Sequence, residues 1–171
     1  MDKLKLGLIL MAFCVISAGA LAFVYLFTQP QIERYSRTSF ECSLNAALPG
    51  ADSFKETEQN VFEGKKGVEP VGWVFSVSPQ GYGGKIGMLV GVNLKGQVTG
   101  LKILSQKETP GLGVNIIKPS FLSQFINKTA GDPLEPKQDI VAITGATISS
   151  RAVSQGVRQS IRSADELIKR F

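Results

Sequence analysis

Twenty-two consecutive residues, Leu6 to Phe27, carry no charge (LGLILMAFCVISAGALAFVYLF). Wound as an α-helix at about 1.5 Å per residue, such a run crosses a hydrocarbon core of about 30 Å. The stretch is therefore read as a transmembrane helix. Lys3 and Lys5 precede it, Gln29, Pro30 and Gln31 follow it, and Tyr25 near its far end suits an interfacial anchor. The positive-inside rule then keeps the N-terminus cytoplasmic and exports the remainder. A cleaved signal peptide is the competing reading, because Ala20-Leu21-Ala22 has the form of a cleavage site. The apolar run continues through Phe23, Val24, Leu26 and Phe27, past the about 7–15 residues of a signal core, which ranks that reading second. Bulky Phe13 argues against a lipid anchor at Cys14, and Cys42 lies beyond the span, so the two thiols sit in different compartments and do not pair.

The chain divides accordingly into residues 1–28, a cytoplasmic tip and transmembrane helix, and residues 29–171, an extracytoplasmic domain. The 171 residues include no histidine, which excludes Ser-His-Asp and Cys-His catalysis and every histidine-ligated zinc or haem site. Two cysteines also fall short of a Cys₄ zinc site or an iron–sulfur cluster. Any difficult chemistry here then belongs to an organic cofactor, or there is none. Beyond residue 33 there are 17 basic and 12 acidic residues, so the net charge of +5 belongs to the exported part. Much of it gathers at the C-terminus, where Arg151, Arg158, Arg162, Lys169 and Arg170 face Asp165 and Glu166. A solvated helix face accounts for this better than nucleic-acid binding, because aromatic residues are not interleaved with the basic ones.

Within the exported part, residues 31–47 read as a helix, continuing from the membrane span or packed just beyond it and ended by Pro49-Gly50, with a short strand possible at Ser53–Glu58 and a turn at Gly64-Lys65-Lys66-Gly67. Val71, Trp73, Phe75 and Val77 then alternate with Gly72, Val74, Ser76 and Ser78, the period of a half-buried strand. A glycine-rich connection (Pro79–Gly84), a strand at Lys85–Asn93, a hairpin at Leu94-Lys95-Gly96 and a strand at Gln97–Ser105 complete a three-stranded antiparallel meander. Residues 119–127 predict a short helix with Phe121, Leu122, Phe125 and Ile126 inward, and Asp139–Ile143 a strand. A final helix over about Ser149 to Arg170 puts Val153, Val157, Ile161, Ala164, Ile168 and Phe171 on one face. The fold class is α+β, an antiparallel sheet with packed helices behind one membrane span.

The junction of strand, Thr144-Gly145-Ala146-Thr147 and helix is the most informative segment. A helix N-terminus offers unpaired N–H groups and a positive dipole end, so a phosphate suits it. An ordinary capping turn has the same composition, and four residues alone do not separate the two. Glu108-Thr109-Pro110-Gly111-Leu112-Gly113 is likewise either a demanding turn or one wall of a binding site, and Tyr82 either a surface aromatic or part of that site. Trp73 reads as core.

Taken together, the membrane span, Leu48-Pro49-Gly50-Ala51, PQGYGG at 79–84, ETPGLG at 108–113 and TGATISS at 144–150 resemble a known FMN-binding domain family. That family comprises the G subunit of Rnf ferredoxin:NAD oxidoreductases and the C subunit of sodium-translocating NADH:quinone reductases. The continuation through Arg151-Ala152-Val153 looks more like the Rnf protein. The resemblance implies FMN carried as a phosphoester on Thr147, placed there by a flavin transferase that uses FAD. It implies that Thr144, Gly145 and Ala146 shape the attachment turn, that Glu108, Thr109, Leu112 and Gly113 lie near the flavin, and that Tyr82 joins them. Thr147 is then a tether rather than a catalyst. The implied function is electron transfer within an ion-translocating complex, with integral membrane subunits as partners and the cytoplasmic membrane as location. Alternatives are the quinone-reductase protein and a non-redox exported module for a phosphate-bearing ligand. One departure stands out: family members commonly carry an acid three positions before the motif, where this chain has Val141, and the nearest acid is Asp139.

Overall fold

A computed structural model describes Asp2 to Arg170, without the side chains of residues 2–4, 27 and 30–37; Phe171 lies outside the described residues. The chain forms two compact units, Met1–Glu41 and Cys42–Phe171. Helix α1 runs continuously over Asp2–Ala47, so of the two readings for 31–47 the helix that continues from the apolar span is the one found. In the first unit, Lys5–Leu26 is long and apolar enough to cross a membrane, and none of it is buried in protein. Just past it, Thr28 turns its hydroxyl back onto the Val24 carbonyl at 2.8 Å, satisfying its own polar group within the helix.

The second unit is built on five strands, β1 (Ser53–Glu58), β2 (Val61–Lys66), β3 (Glu69–Val77), β4 (Gly87–Asn93) and β5 (Val98–Ser105). They are antiparallel and lie in sequence order. One sheet face follows the alternation of β3: Trp73 and Phe75 stand opposite Val92 and Val90 of β4, and Leu101 of β5 continues the row. Helix α3 (Thr147–Ile168) covers this face with Val153, Val157, Ile161 and Ala164, each buried in the main core. The helix comes close at Gly156, where a Cβ would stand 3.0 Å from the Met88 sulfur and 3.1 Å from Pro79. Burying each aliphatic side chain of such a face is worth about 1.5–3 kcal/mol.

The opposite face is flat because its strands carry glycine. Gly91 lies between Val74 and Gly100, and a side chain at either glycine would strike the backbone of Ala47. The end of α1 rests in this trough, with Leu44, Ala47 and Leu48 buried. Thr99 donates its hydroxyl to the Ala47 carbonyl at 2.8 Å, pairing one of the carbonyls that a helix end leaves open.

Four sequence expectations are corrected. The meander has five strands rather than three, since Gly64, Lys65 and Lys66 belong to β2 and the chain turns at Gly67 instead. Residues 139–143 form no strand: Pro136 and Ile140 make an isolated bridge, and the side chain of Gln124 takes both the N–H (2.7 Å) and the carbonyl (3.3 Å) of Val141. The helix at 119–127 is one short turn, α2 (Pro119–Leu122), followed by a 3₁₀ turn over Ser123–Phe125. Phe121 and Phe125 are buried edge to face, but Ile126 points out. Helix α3 starts at Thr147, two residues earlier than expected.

Between the α2 region and α3, an irregular loop is organised by charge. Lys128 donates to Asp139 at 2.8 Å and to Asp132 at 3.4 Å. Asp139 also accepts from the N–H groups of Glu135 (2.9 Å) and Leu134 (3.2 Å). Burial opposes ionisation of Asp139, yet the bonds from Lys128 and the two amides outweigh it and hold its carboxyl below the usual range. The Thr129 N–H lowers Asp132 in the same way, and the bond to Asp139 raises Lys128. Carboxyls lowered in the fold stabilise it above their unfolded value near 3.8 and lose that contribution as pH falls through the folded value. Lys128, raised above 10.5, contributes up to that pH and loses it above. Asp139→Asn is therefore expected to cost about 2 kcal/mol at neutral pH, as for hydrogen bonds to a charged group. In denaturant melts at stepped pH, the gap to wild type should begin to narrow below the unfolded value near 3.8 and close as pH falls through the lower folded value, where the wild-type carboxylate is itself protonated.

Candidate functional site

Three segments from distant parts of the sequence meet at the start of α3. The first is the Pro79–Gly84 connection, closed by the Gln80–Lys85 bridge and by Gly81 N–H to Gly84 carbonyl at 2.8 Å, with Tyr82 exposed at its tip. The second is Glu108–Gly113, where the Thr109 carbonyl accepts from the N–H groups of Leu112 (3.2 Å) and Val114 (3.3 Å) and a 3₁₀ turn begins at Gly113.

The third is Ile143–Ser150. Ala146 N–H bonds the Ile143 carbonyl at 2.9 Å around Gly145, whose φ of +76° is the left-handed value that the third position of a type II turn requires. Leu112 lies over this glycine, with Cδ2 3.1 Å from where a Cβ would stand. Ser150, fully buried, holds the turn to the helix: its hydroxyl accepts from Ile143 N–H (3.1 Å) and donates to the Ala146 carbonyl (2.9 Å).

Helix α3 has Ala146 as its N-cap, with no side-chain cap and no acid in its first turn. A helix of 22 residues thus presents its positive end uncapped by its own sequence. The first turn forms one side of a cleft of about 520 Å³ lined by Tyr82, Glu108, Thr109, Leu112, Gly113, Gly145, Ala146, Thr147, Ile148 and Ser149. That volume is in the range of small-molecule and cofactor sites. Of the residues singled out from the sequence, Thr147, Gly145, Ala146, Glu108, Thr109, Leu112, Gly113 and Tyr82 are brought together here. Thr144 is exposed and is not among the lining residues. Ile148 and Ser149 are additions; both fall inside the quoted TGATISS, and their place in the first helical turn was the available signal. Trp73 is buried in the core, as expected.

Glu108 is 5% exposed, although it lines the cleft. Its Oε2 accepts from the Ser149 hydroxyl at 2.5 Å and its Oε1 from Gly83 N–H at 3.1 Å. Asp139, the acid nearest to position 141, has its two oxygens engaged by Lys128, Leu134 and Glu135, while Val141 is 77% exposed.

Comparison with known proteins matches residues 81–162 to the FMN-binding domain and residues 2–46 to the RnfG N-terminal region. Every residue lining the cleft lies inside the first match. The G subunit of the proton-translocating ferredoxin:NAD(+) oxidoreductase complex of Clostridium ljungdahlii is 35% identical over 156 residues, covering 86% of this chain and 84% of its own. The chain belongs to the RnfG family. The G subunit of the Na(+)-translocating ferredoxin:NAD(+) oxidoreductase complex of Acetobacterium woodii is 33% identical over 193 aligned positions, covering 96% of this RnfG-family chain and 93% of its own. Among solved structures, Shewanella oneidensis NqrC superposes with a TM-score of 0.52 at 18% identity, over 75% of this chain and 74% of that one. The C subunit of the Na(+)-translocating NADH-quinone reductase of Parabacteroides distasonis gives 0.50 at 24%, over 63% and 61%. These two share with the RnfG-family chain the fold, an antiparallel sheet with packed helices.

FMN needs room for a planar ring and donors for a phosphate, and the residues present fit it. Leu112, Ile148 and Tyr82 give the cleft apolar surface, while the uncapped first turn of α3 supplies amides beside the Thr147 hydroxyl.

Proposed function

We propose that the chain is a membrane-anchored flavoprotein that carries electrons within an Rnf-type ferredoxin:NAD oxidoreductase complex coupled to ion translocation. In this reading FMN is held covalently on Thr147. The observation that carries it is the position of Thr147: first residue of an uncapped helix, in the cleft wall, inside the FMN-binding match. The amides of the first turn bind and orient the phosphate. Gly145 lets the backbone bend beneath it, and Leu112 packs against that bend. During maturation the Thr147 oxygen attacks the flavin-side phosphorus of FAD; a threonyl phosphoester forms, the pyrophosphate bond breaks, AMP leaves and the hydroxyl proton is lost. A flavin transferase brings the donor to the site. Once bound, the flavin supplies one-electron chemistry, and the protein supplies position and electrostatics.

Residues 1–28 anchor the chain in the cytoplasmic membrane with the N-terminus inside, residues 29–171 work on the outer face, and integral membrane subunits of the same complex are the partners. The fold shared with the two quinone-reductase chains favours a role in a sodium-translocating NADH:quinone reductase as second reading. Identifying the proteins that co-purify in the intact complex separates it from the first. Intact-mass analysis of the full chain co-produced with the transferase is expected to show one FMN-sized addition that survives acid precipitation. A chain of unmodified mass with no flavin in the precipitate overturns the covalent reading.

A further inference from the structure

Glu108 stands out among the residues of the cleft because a carboxylate is expensive to bury and this one pairs with no cation among the described residues. Its charge is met by neutral donors instead, the Ser149 hydroxyl at 2.5 Å and the Gly83 amide at 3.1 Å. The first distance is that of a charge-assisted O–H···O⁻ bond. The surroundings are cut to the shape of this side chain. A Cβ at Gly113 would stand 2.7 Å from Glu108 Cβ and 2.9 Å from Oε2, and one at Gly81 would run into Oε1. One carboxylate thus ties all three segments of the cleft together: Gly83 from the first, its own turn, and Ser149 from the first turn of α3, two residues beyond Thr147.

We propose that Glu108 is a positioning residue that clamps the first turn of α3, and with it Thr147, against the other two walls, and that its negative charge lowers the reduction potential of the flavin held there. The second half rests on the flavin reading above. A carboxylate in a partly desolvated wall acts on added negative charge more strongly than it would in water, and it opposes electron uptake nearby. Removing the charge therefore makes reduction easier. Removing only the Ser149 bond loosens the clamp and leaves the charge in place.

Three variants of the full chain in detergent, each co-produced with the transferase, separate these effects. Glu108→Gln is expected to move the midpoint potential of the bound flavin to a more positive value. Ser149→Ala is expected to keep the wild-type potential while the fraction of chains carrying the FMN-sized mass falls severalfold and the unloaded chain melts several degrees lower. Glu108→Asp keeps the charge and shortens the clamp; it should lose loading and hold the wild-type potential, and it keeps the test decisive if Glu108→Gln fails to fold. A Glu108→Gln potential equal to wild type, or a Glu108→Asp potential that shifts, overturns the charge assignment. Ser149→Ala loading and melting as wild type overturns the clamp. If the wild type carries no flavin, the flavin reading fails instead, and the melting temperatures of the unloaded chains still decide the clamp.

Discussion

Thr147→Val is expected to abolish covalently bound flavin completely while leaving the fold intact. Valine matches threonine in shape and branching, and Thr147 is the first helical residue rather than the N-cap, so its hydroxyl makes no capping bond that the helix needs. Nor can a neighbouring hydroxyl take over. Ser149 is committed to Glu108, Ser150 is buried between Ile143 and Ala146, and Thr144 lies outside the cleft lining. Thr109 does line the cleft, but from the opposite turn and without helix amides beside it. Fluorescence of the denatured chain in a gel, with intact mass beside it, reads the result. A valine variant that still carries the FMN-sized mass would place the attachment elsewhere, and its melting temperature should stay within a degree or so of wild type, as for a surface-type change.

Gly91→Val is expected to destabilise the globular unit by about 3 kcal/mol or more. The position is a strand interior where even a Cβ would meet the Ala47 carbonyl carbon at 2.5 Å and the Thr99 oxygen at 2.8 Å. Those neighbours are backbone and a hydroxyl already bonded to it, so relief requires the end of α1 to lift off the sheet, exposing Leu44 and Leu48. Valine is otherwise a favourable strand residue, so propensity alone predicts the opposite sign. Gly131→Ala, where a Cβ meets only the Thr129 oxygen at 3.8 Å, is the control and should change stability by less than about 0.5 kcal/mol. Urea melts of the two variants test the contrast; equal stabilities would contradict the packing described for the trough.

Elements with strong local signals were legible in the sequence. The alternation at Val71–Val77, the hairpin at Leu94-Lys95-Gly96 and the apolar face of α3 all lie where their periodicity puts them. The strand read as possible at Ser53–Glu58 is β1, although SFKETE has no apolar alternation; it is held by its ladder to β2 and by cross-strand pairs such as Lys55 opposite Glu63. Strand β2 was harder, because Gly64-Lys65-Lys66-Gly67 has the composition of a turn. At Asp139–Ile143 the composition suggested a strand, but the Gln124 side chain, 17 residues away, takes the backbone groups that a ladder would use. Most of the cleft was legible because it is built from short motifs. The bond from Ser149 to Glu108 was not, since 41 residues separate the partners and nothing local marks either as buried. The glycines of β4 and β5 did carry a readable signal, because glycine inside a strand often marks a close backbone approach.

The glycine trough also bears on how the protein can be handled. Pairing within the meander is local throughout, and the two coverings of the sheet come from opposite ends of the second unit: residues 42–48 on one face and α3 on the other. Neither end can be trimmed freely. A water-soluble fragment freed of the Lys5–Leu26 run has to retain Cys42 through Leu48, because a cut placed at the Pro49-Gly50 turn would leave Gly91, Gly100 and Val74 open to solvent as a bare hydrophobic strip. The working boundary of the globular unit therefore lies inside a helix rather than at the loop that follows it.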